Sequence, residues 1–307
     1  MSSSAALATP STRAARRRPL RAHLLVPYLF IAPNIVLFTL FSFLPLLYAV
    51  YISFHDWSLI GDAEWLGWAN YARLGRDPQF WQALWHTVVY AAITVAGSMV
   101  LGLLLAVGLN RRLPGRAALR SVYFMPVVIS AVATGTIAAW LFNDNYGVVN
   151  GVLVRLGLGR VHWLSSPSWA LASLAIATVW VRAGFNMVVY LAALQSIPST
   201  YMDAAQIDGA GAWMRFRAIV FPLLMPATFL LLILNIIHSF QVFDLIYVMT
   251  GGGPGFSTTT LVQYIYQSAF ITGEMGYASA TGVVLYILIL GFTVVQWRLS
   301  KQSESVL

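Results

Sequence analysis

Polar side chains that could bind a solute interrupt two segments that are otherwise apolar. The first segment carries Arg182 and, one helical turn later, Asn186. The second carries Asn235, His238 and Ser239. Within a membrane, polar groups are costly and face either a cavity or another helix. These five residues are therefore predicted to line a path for a polar solute, and interhelical hydrogen bonding is the alternative for the second group.

Arg182 has two interpretations. A guanidinium near the middle of a bilayer costs about 2.5–3.5 kcal/mol on insertion scales, so it needs a partner. One interpretation is that the partner is an anionic substrate such as a phosphodiester. The other, which we favour from the sequence, is that Arg182 forms a structural ion pair with Asp244. Asn235, His238, Gln241 and Asp244 recur at steps of three. Each step falls back by about 60° on a helix, so all four are not expected to line one path.

Several kinds of chemistry are excluded by residue types. The chain has no cysteine, so it forms no disulfide, thiolate metal site or cysteine nucleophile. His238 has no second ligand at helical spacing, so no metal site is predicted. The single lysine, Lys301 in "RLSKQS", has no glycine before it, whereas a G-x-x-x-x-G-K-[ST] loop needs its lysine on the phosphates. The chain is expected to bind no cofactor, and any nucleotide must bind to another subunit.

The elements that must position these residues are apolar helices. The 307 residues are 59% hydrophobic and 9% charged, with a mean hydropathy of +0.74, whereas a soluble domain carries about a quarter charged residues. The sequence thus predicts an all-α integral membrane protein. Segments of about 20 apolar residues cross the hydrocarbon core, and six fit: 28–52, 86–109, 121–142, 169–194, 219–240 and 277–297. Pro33 and Pro45 are expected to interrupt the first.

Arginine and lysine are distributed unevenly between the connections. Thirteen lie in the two tails and in the second and fourth loops, and four lie in the opposite loops. Because basic residues collect on the cytoplasmic side, both termini are predicted to be cytoplasmic, and the net charge of +8 implies no nucleic acid. Residues 1–23 are predicted to form a disordered basic tail, 24–298 the membrane domain and 299–307 a second cytoplasmic tail.

A short helix is predicted in the fourth loop, residues 197–218, between two membrane-length segments. In "IPSTYMDAAQIDGAGAWMRF", Pro198 stands at the helix start and Ser199 is a candidate cap. Gly209 and Gly211 then break the helix before an apolar face resumes. A loop that merely joined two spans could be far shorter. The small alanine side chains of this helix also permit close approach, so we expect it to contact another protein.

The same stretch carries a recognisable pattern. "DAAQIDGAGAWMRFRAIVFP" resembles the EAA motif of the membrane subunits of binding-protein-dependent ABC importers, which reads E-A-A-x-x-D-G-A, then eight residues, then I/V-x-L-P. Asp203 replaces the usual glutamate and Phe221 the usual leucine. The positions of the pattern, with aspartate accepted for the glutamate, are occupied by Asp203, Ala204, Ala205, Asp208, Gly209, Ala210 and Pro222. Further blocks, "LQSIPSTY" and "FDLIYVMTGGGPGFSTTTLVQYIYQSAF", resemble the carbohydrate-uptake branch, and the likeness runs from about residue 24 to 298.

This resemblance implies a fold, a function and partners. The fold would be that of a type I ABC importer permease, with six transmembrane helices and a cytoplasmic coupling helix, Ser199–Gly209, in the bacterial inner membrane. The partners would be a second permease, two ATP-binding subunits that hold ATP and magnesium, an extracytoplasmic solute-binding protein, and membrane lipid. The solute would be a sugar or a glycerol-phosphate-type molecule. The residues implied in coupling are Asp203, Ala204, Ala205, Asp208, Gly209 and Ala210.

Two other classes of protein remain as alternatives. A stand-alone secondary transporter or channel would need inverted repeats or a chain of intramembrane carboxylates, and the six predicted spans contain no Asp or Glu. A membrane enzyme would need acids, bases or metal ligands clustered at one depth, and five scattered histidines do not supply them.

Two outer segments complete the sequence predictions. "MTGGGPGFSTTT", residues 249–260, is predicted to be a flexible turn beside the docking surface of a solute-binding protein. The tryptophans in and near the first outer loop are predicted to anchor the chain at the membrane interface. They are Trp57, Trp65, Trp68, Trp81 and Trp85.

Overall fold

The computed structural model describes residues 20–58, 60–111 and 114–304. It is 76% helical, which confirms the predicted fold class at the level of a helical membrane-type protein. Most of the predicted tail 1–23 lies outside the described residues. Its last four residues already belong to a helix, because the first helix begins at Leu20. At the other end, the last helix continues to Glu304, so most of the predicted tail 299–307 is helical.

The first of two compact units comprises residues up to Tyr48. Helix α1, Leu20–Phe38, is followed by a π-helical turn, Thr39–Phe43, and by helix α2, Leu44–Ile52, which extends into the second unit. The predicted interruption at Pro33 is wrong, because Pro33 lies inside α1. The helix also continues past Pro45. The Leu44 N–H bonds to the carbonyl of Thr39, five residues back, which shifts the hydrogen-bond ladder just before a residue that cannot donate.

The second unit contains all remaining elements. A two-stranded antiparallel hairpin, β1 and β2, precedes the short helix α3 and the long helix α4. Four more helices follow, of which α8 is the longest. The bounds are β1 His55–Asp56, β2 Glu64–Trp65, α3 Ala69–Arg76, α4 Pro78–Leu109, α5 Arg116–Val128, α6 Ala131–Leu141, α7 Val148–Arg155 and α8 Pro167–Gln195.

Shorter helices fill the C-terminal part of this unit before one long final helix. Two π-helical turns, Phe216–Val220 and Gln267–Ile271, extend α10 and α14. The bounds are α9 Ser199–Ile207, α10 Ala212–Arg215, α11 Phe221–Leu223, α12 Met225–Phe240, α13 Asp244–Met249, α14 Leu261–Tyr266 and α15 Met275–Glu304.

Four segments of the described chain are long and apolar enough to cross a membrane, and the number rises to six if two bent helix pairs each count as one span. The four are 27–52, 78–109, 167–195 and 275–298. The third and fifth predicted segments are the bent pairs: α5 and α6 meet at 104°, and the 212–223 segment meets α12 at 63°. Such bends are tolerated where neighbouring protein satisfies the freed backbone groups.

The second predicted segment begins eight residues earlier than expected. Asp77 caps α4 by accepting a hydrogen bond from the Gln79 N–H, and Pro78 occupies the first helical position. Both residues favour a helix start. The signal was therefore present in the sequence, but it precedes the apolar run that defined the prediction.

Close packing around α8 depends on residues without side chains. Gly184 on α8 faces the backbone of α5 so closely that an added Cβ would overlap the carbonyl oxygen of Tyr123 and lie 3.2 Å from the Cα of Phe124. On the α4 side, a Cβ on Gly102 would lie 2.5 Å from the Cβ of Asn186. Small residues of this kind let helix backbones approach in membrane proteins.

Gly184→Ala is expected to destabilise the chain by about 1–3 kcal/mol, because backbone atoms cannot move aside as a flexible side chain could. The measurement is the midpoint of thermal unfolding in detergent. Gly108→Ala is the matched control, since Gly108 lies on α4 and no atom of the described residues lies within 4 Å of an added Cβ there. If Gly184→Ala unfolded at the same temperature as Gly108→Ala, the packing of α5 on α8 described here would be wrong.

Candidate functional site

An open cavity of about 380 Å³ lies among α4, α6, α8, α12 and the start of α13. Its wall combines apolar side chains with polar groups from each of these elements. The polar lining residues are Tyr90, Thr134, Thr178, Arg182, His238, Ser239, Gln241 and Asp244. A concave site in which polar groups converge between apolar side chains is typical of a small-molecule site.

Asn235 joins three helices beneath this cavity. Its amide Nδ2 donates to Asn186 Oδ1 at 2.9 Å and to the Leu231 carbonyl at 2.8 Å. Its Oδ1 accepts from Arg182 Nε at 3.3 Å, and Ser98 Oγ lies 3.5 Å away. Asn235 and Asn186 are both buried. Arg182 and Asn186 occupy one face of α8 because they are four residues apart, so a single amide on α12 reaches both.

Arg182 and Asp244 do not form the hypothesised ion pair. The ion pairs of the described residues join other side chains. The interpretation favoured from the sequence is therefore wrong for this structure. The guanidinium instead donates to the neutral Asn235, and its Nη2 is buried without a hydrogen-bond partner. The physical reason is the position of Asp244, which begins α13 on the far side of a break in the helix.

The same break changes which residues share the cavity. Helix α12 ends at Phe240, and α13 starts only at Asp244, so a regular spiral over this stretch does not form. His238, Gln241 and Asp244 all line the cavity, contrary to the uniform-helix argument. Ser239 also lines it, and its Oγ lies 2.9 Å from Thr94 Oγ1 on α4.

The loop between α8 and α12 contains the short helix predicted from the sequence. Helix α9, Ser199–Ile207, contains no buried residue. Gly209 adopts a φ of +77°, and two hydrogen bonds close the turn: Gly209 N–H to the Gln206 carbonyl and Ala210 N–H to the Ala205 carbonyl, 3.1 and 2.9 Å. This is the Schellman arrangement, in which the residue with positive φ is usually glycine.

Two details of this loop differ from or extend the prediction. Pro198, not Ser199, is the N-cap residue, and no side chain caps the helix, because Ser199 is already the first helical residue. Ile207 and Trp213 are 87% and 71% exposed. Asp203 and Asp208 are exposed as well. The surface of this loop thus combines carboxylates with uncovered apolar side chains.

Burial and hydrogen bonds fix the segment 249–260, so it is not the flexible turn that was predicted. Thr258, Thr259 and Thr260 are completely buried. Thr258 Oγ1 donates to the Gly253 carbonyl at 2.7 Å, and Thr259 Oγ1 donates to the Gly252 carbonyl at 3.1 Å. Beyond it, the Leu261 N–H donates to Thr87 Oγ1 of α4 at 2.9 Å. Threonine hydroxyls that bond to backbone groups replace the regular ladder and fix the glycine-rich turn.

A second polar cluster, which the sequence reasoning missed, lies around a cavity of about 780 Å³. Arg73 and Glu274 form a bidentate ion pair at 2.8 and 3.0 Å. Asp77 Oδ2 accepts hydrogen bonds from the hydroxyls of Tyr264 and Tyr277. Burial opposes ionisation of Asp77, but these hydrogen bonds and those from nearby backbone amides outweigh it, so the pKa of Asp77 lies below its usual value. Burial and Asp77 together raise the pKa of Tyr264 to about 12.

Four of the predicted anchor tryptophans, Trp65, Trp68, Trp81 and Trp85, have more than half of their surface exposed. Trp81 also donates its Nε1–H to the Gly75 carbonyl at 3.0 Å. Their role at a membrane interface stays a prediction.

Comparisons with known proteins identify the family. Residues 98–302 match the family described as the inner membrane component of binding-protein-dependent transport systems. A sulfoquinovosyl glycerol transport system permease of Agrobacterium fabrum is 39% identical, with 91% of this chain and 92% of that protein covered. The trehalose/maltose transport permease MalF of Thermococcus litoralis is 35% identical, with 89% and 93% covered.

A solved structure agrees with these sequence matches. A chain of the bacterial alginate ABC transporter, crystallised in complex with a periplasmic protein bound to an alginate pentasaccharide, superposes with a TM-score of 0.81 at 25% identity. The match covers 92% of this chain and 96% of that one. The chain therefore belongs to the family of inner membrane components of binding-protein-dependent transport systems.

Proposed function

We propose that this chain is the permease subunit of an ATP-driven importer. It forms, with a second permease, the path for a sugar or glycerol-phosphate-type solute that an extracytoplasmic binding protein delivers. The observation that carries the proposal is the family match over residues 98–302, together with the cavity that Arg182, His238 and Ser239 line. A stand-alone secondary transporter is disfavoured, because this family works with binding proteins.

The proposed placement in the inner membrane has six spans, with each bent helix pair counted as one. Both termini and the α9–α10 loop then face the cytoplasm, as the asymmetry of basic residues favours. Helix α3, the hairpin and the 249–260 segment face outward. The permease domain comprises residues 24–298, and lipid covers its apolar outer surface, where α15 exposes side chains such as Ile287 and Val295.

Helix α9 is proposed to be the coupling helix. The exposed surface of the loop supports this role, because large apolar side chains such as Ile207 of α9 and Trp213 of the following α10 are unfavourable in water and mark a surface that a partner covers. Asp203 and Asp208 can pair with cations on an ATP-binding subunit, and Ala204 and Ala205 permit close approach. When the two ATPase subunits close around ATP and magnesium, the rigid helix moves, and Gly209 and Ala210 carry that movement into the next span.

The cavity is proposed to be part of the substrate path. His238 and Ser239 lie on its wall. Asn235 lies outside the lining residues and accepts a hydrogen bond from Arg182, and Asn186 accepts one from Asn235. Asn235 therefore acts as a support for the guanidinium and not as a wall residue. Hydroxyl groups of a solute would find both donors and acceptors here, since Gln241 and Asp244 also line the cavity.

The purified chain alone is expected to hydrolyse no ATP, because it has no phosphate-binding lysine. After reconstitution with the ATPase subunits and the second permease, hydrolysis is expected to appear and to rise when the solute-loaded binding protein is added. The measurement is phosphate release from proteoliposomes. A complex whose ATPase subunits carry a substituted P-loop lysine is the control. Turnover by the isolated, uncontaminated chain would contradict the proposal.

A further inference from the structure

We infer that the solute carries a negatively charged group, namely a sulfonate, phosphate or carboxylate. Arg182, which bonds to Asn235, recognises this group in the cavity. The inference rests on the proposed path through this cavity. It concerns the class of solute, which the family match leaves open, since its members' names include a neutral disaccharide and an acidic sugar derivative.

The positive charge of Arg182 has no ion-pair partner among the described residues. Its recorded side-chain contacts are a hydrogen bond to the neutral oxygen of Asn235 and the ring of Phe185, whose centroid is 5.2 Å away. No carboxylate of the described chain forms an ion pair with it. A half-buried cation without a counter-charge is unfavourable in a medium of low polarity. An anionic ligand would remove that cost, and a neutral one would not.

Two side chains that line the cavity have a buried polar atom without a hydrogen-bond partner among the described residues, Arg182 Nη2 and the hydroxyl of Thr134. Asn186 Nδ2, one turn along α8 from Arg182 and outside the lining, also lacks a partner. Buried polar groups are almost always paired, so unpaired ones call for an explanation. Arg182 and Asn186 can only donate through these atoms, and oxyanions of sulfonate, phosphate and carboxylate groups are the acceptors that best match a guanidinium.

The other polar side chains that line the cavity indicate which groups the rest of the ligand carries. Tyr90 and Thr178 bond to each other, with 2.5 Å between their oxygens. His238, Gln241 and Asp244 approach from α12 and α13. Asp244 is the one carboxylate among the lining residues, and it forms no ion pair with Arg182 in the described structure, so it can accept hydrogen bonds from hydroxyl groups. The cavity thus suits a molecule with an anionic end near Arg182 and hydroxyl groups toward Asp244.

The test uses proteoliposomes of the complete complex with saturating amounts of its binding protein. The probes are sulfoquinovosyl glycerol, glucosylglycerol as its neutral counterpart with a hydroxyl in place of the sulfonate, sn-glycerol 3-phosphate and trehalose. We expect uptake of at least one anionic probe, and uptake of neutral probes at least about tenfold slower. Arg182→Gln is expected to lower uptake of the anionic probe by about 10- to 100-fold, the range of one charge-assisted hydrogen bond, while the complex still assembles.

Two further variants separate recognition of charge from a structural role. Arg182→Lys keeps the charge and is expected to retain a substantial part of the uptake. Asn235→Asp places a carboxylate beside Arg182, so it is expected to assemble but to lose the anionic probe as Arg182→Gln does. Arg155→Gln is the control, because Arg155 is an exposed residue at the end of α7 that does not line the cavity.

The outcomes distinguish this inference from the proposed function. Uptake of neutral probes with rejection of the anionic ones would overturn the inference and leave the importer function intact. The same conclusion would follow if Arg182→Gln slowed uptake of both classes equally, or if its complex failed to assemble. Absence of ATP-dependent uptake for every probe would count against the importer function itself, and with it against the inference.

Discussion

Gly209→Val is expected to abolish most transport while the chain still inserts and the complex still binds ATP. Gly209 has a φ of +77° at the end of α9, a conformation that β-branched residues adopt very rarely. The left-handed conformation costs an L residue about 1–2 kcal/mol, so valine would shift the backbone and redirect α9. Because no atom of the described residues lies within 4 Å of an added Cβ, the effect would come from the turn or from contact with a partner. Solute uptake per ATP hydrolysed measures it.

The matched control is Gly211→Val, two residues further along the same loop. Gly211 has a φ of −64°, which any residue can adopt, and an added Cβ there also has open space. Its variant is expected to transport within about twofold of the wild-type rate, because it changes neither the turn nor its hydrogen bonds. Wild-type transport by Gly209→Val would show that the assignment of α9 as the coupling helix is wrong.

The helices that the sequence predicted best have local signals at both ends. Helix α8 was expected at 169–194 and is found at Pro167–Gln195; its proline start and its polar end are both visible in the sequence. The short helix in the fourth loop was predicted for the same reason, since Pro198 and Gly209 mark its limits. Periodicity, capping and turn residues act over a few positions, and they can be read from one chain.

The bends were missed because an apolar run hides them. Residues 121–142 look like one span, yet α5 ends at Val128 and Ser130 starts α6 by accepting a hydrogen bond from the Ala133 N–H at 3.2 Å. A serine inside an apolar segment was the available signal, because serine favours the N-cap position. Hydropathy averages over the whole segment and gives it no weight.

The polar partners could not be predicted because they are distant in sequence. Arg73 and Glu274 are 201 positions apart, and Asp77 and Tyr277 are 200. No periodicity connects such positions in a single sequence. The same limit explains the error at Arg182: its distance to Asp244 depends on the break after Phe240, whereas its hydrogen bond to Asn235 depends on how α8 packs against α12.

Asn235→Leu is expected to destabilise the chain by more than the loss of one hydrogen bond would. The substitution keeps the size of the side chain but leaves Arg182 Nε and Asn186 Oδ1 without their partner. Each unpaired buried group costs about 1–3 kcal/mol. Hydrogen bonds in membrane proteins average only about 0.6 kcal/mol, because the unfolded segments find other partners in the bilayer. Together these values lead us to expect a loss of about 2–4 kcal/mol.

The measurement for Asn235→Leu is the thermal midpoint of the chain in detergent, together with the fraction that elutes as a monodisperse species. Thr293→Val is the control: it also replaces a polar side chain with an apolar one, but the hydroxyl of Thr293 bonds back to Ile289 of its own helix at 2.8 Å, so no partner on another helix is stranded. We expect its midpoint to stay close to the wild-type value. An Asn235→Leu chain as stable as Thr293→Val would mean that Asn235 does not hold α8 against α12, and that another contact fixes the position of Arg182.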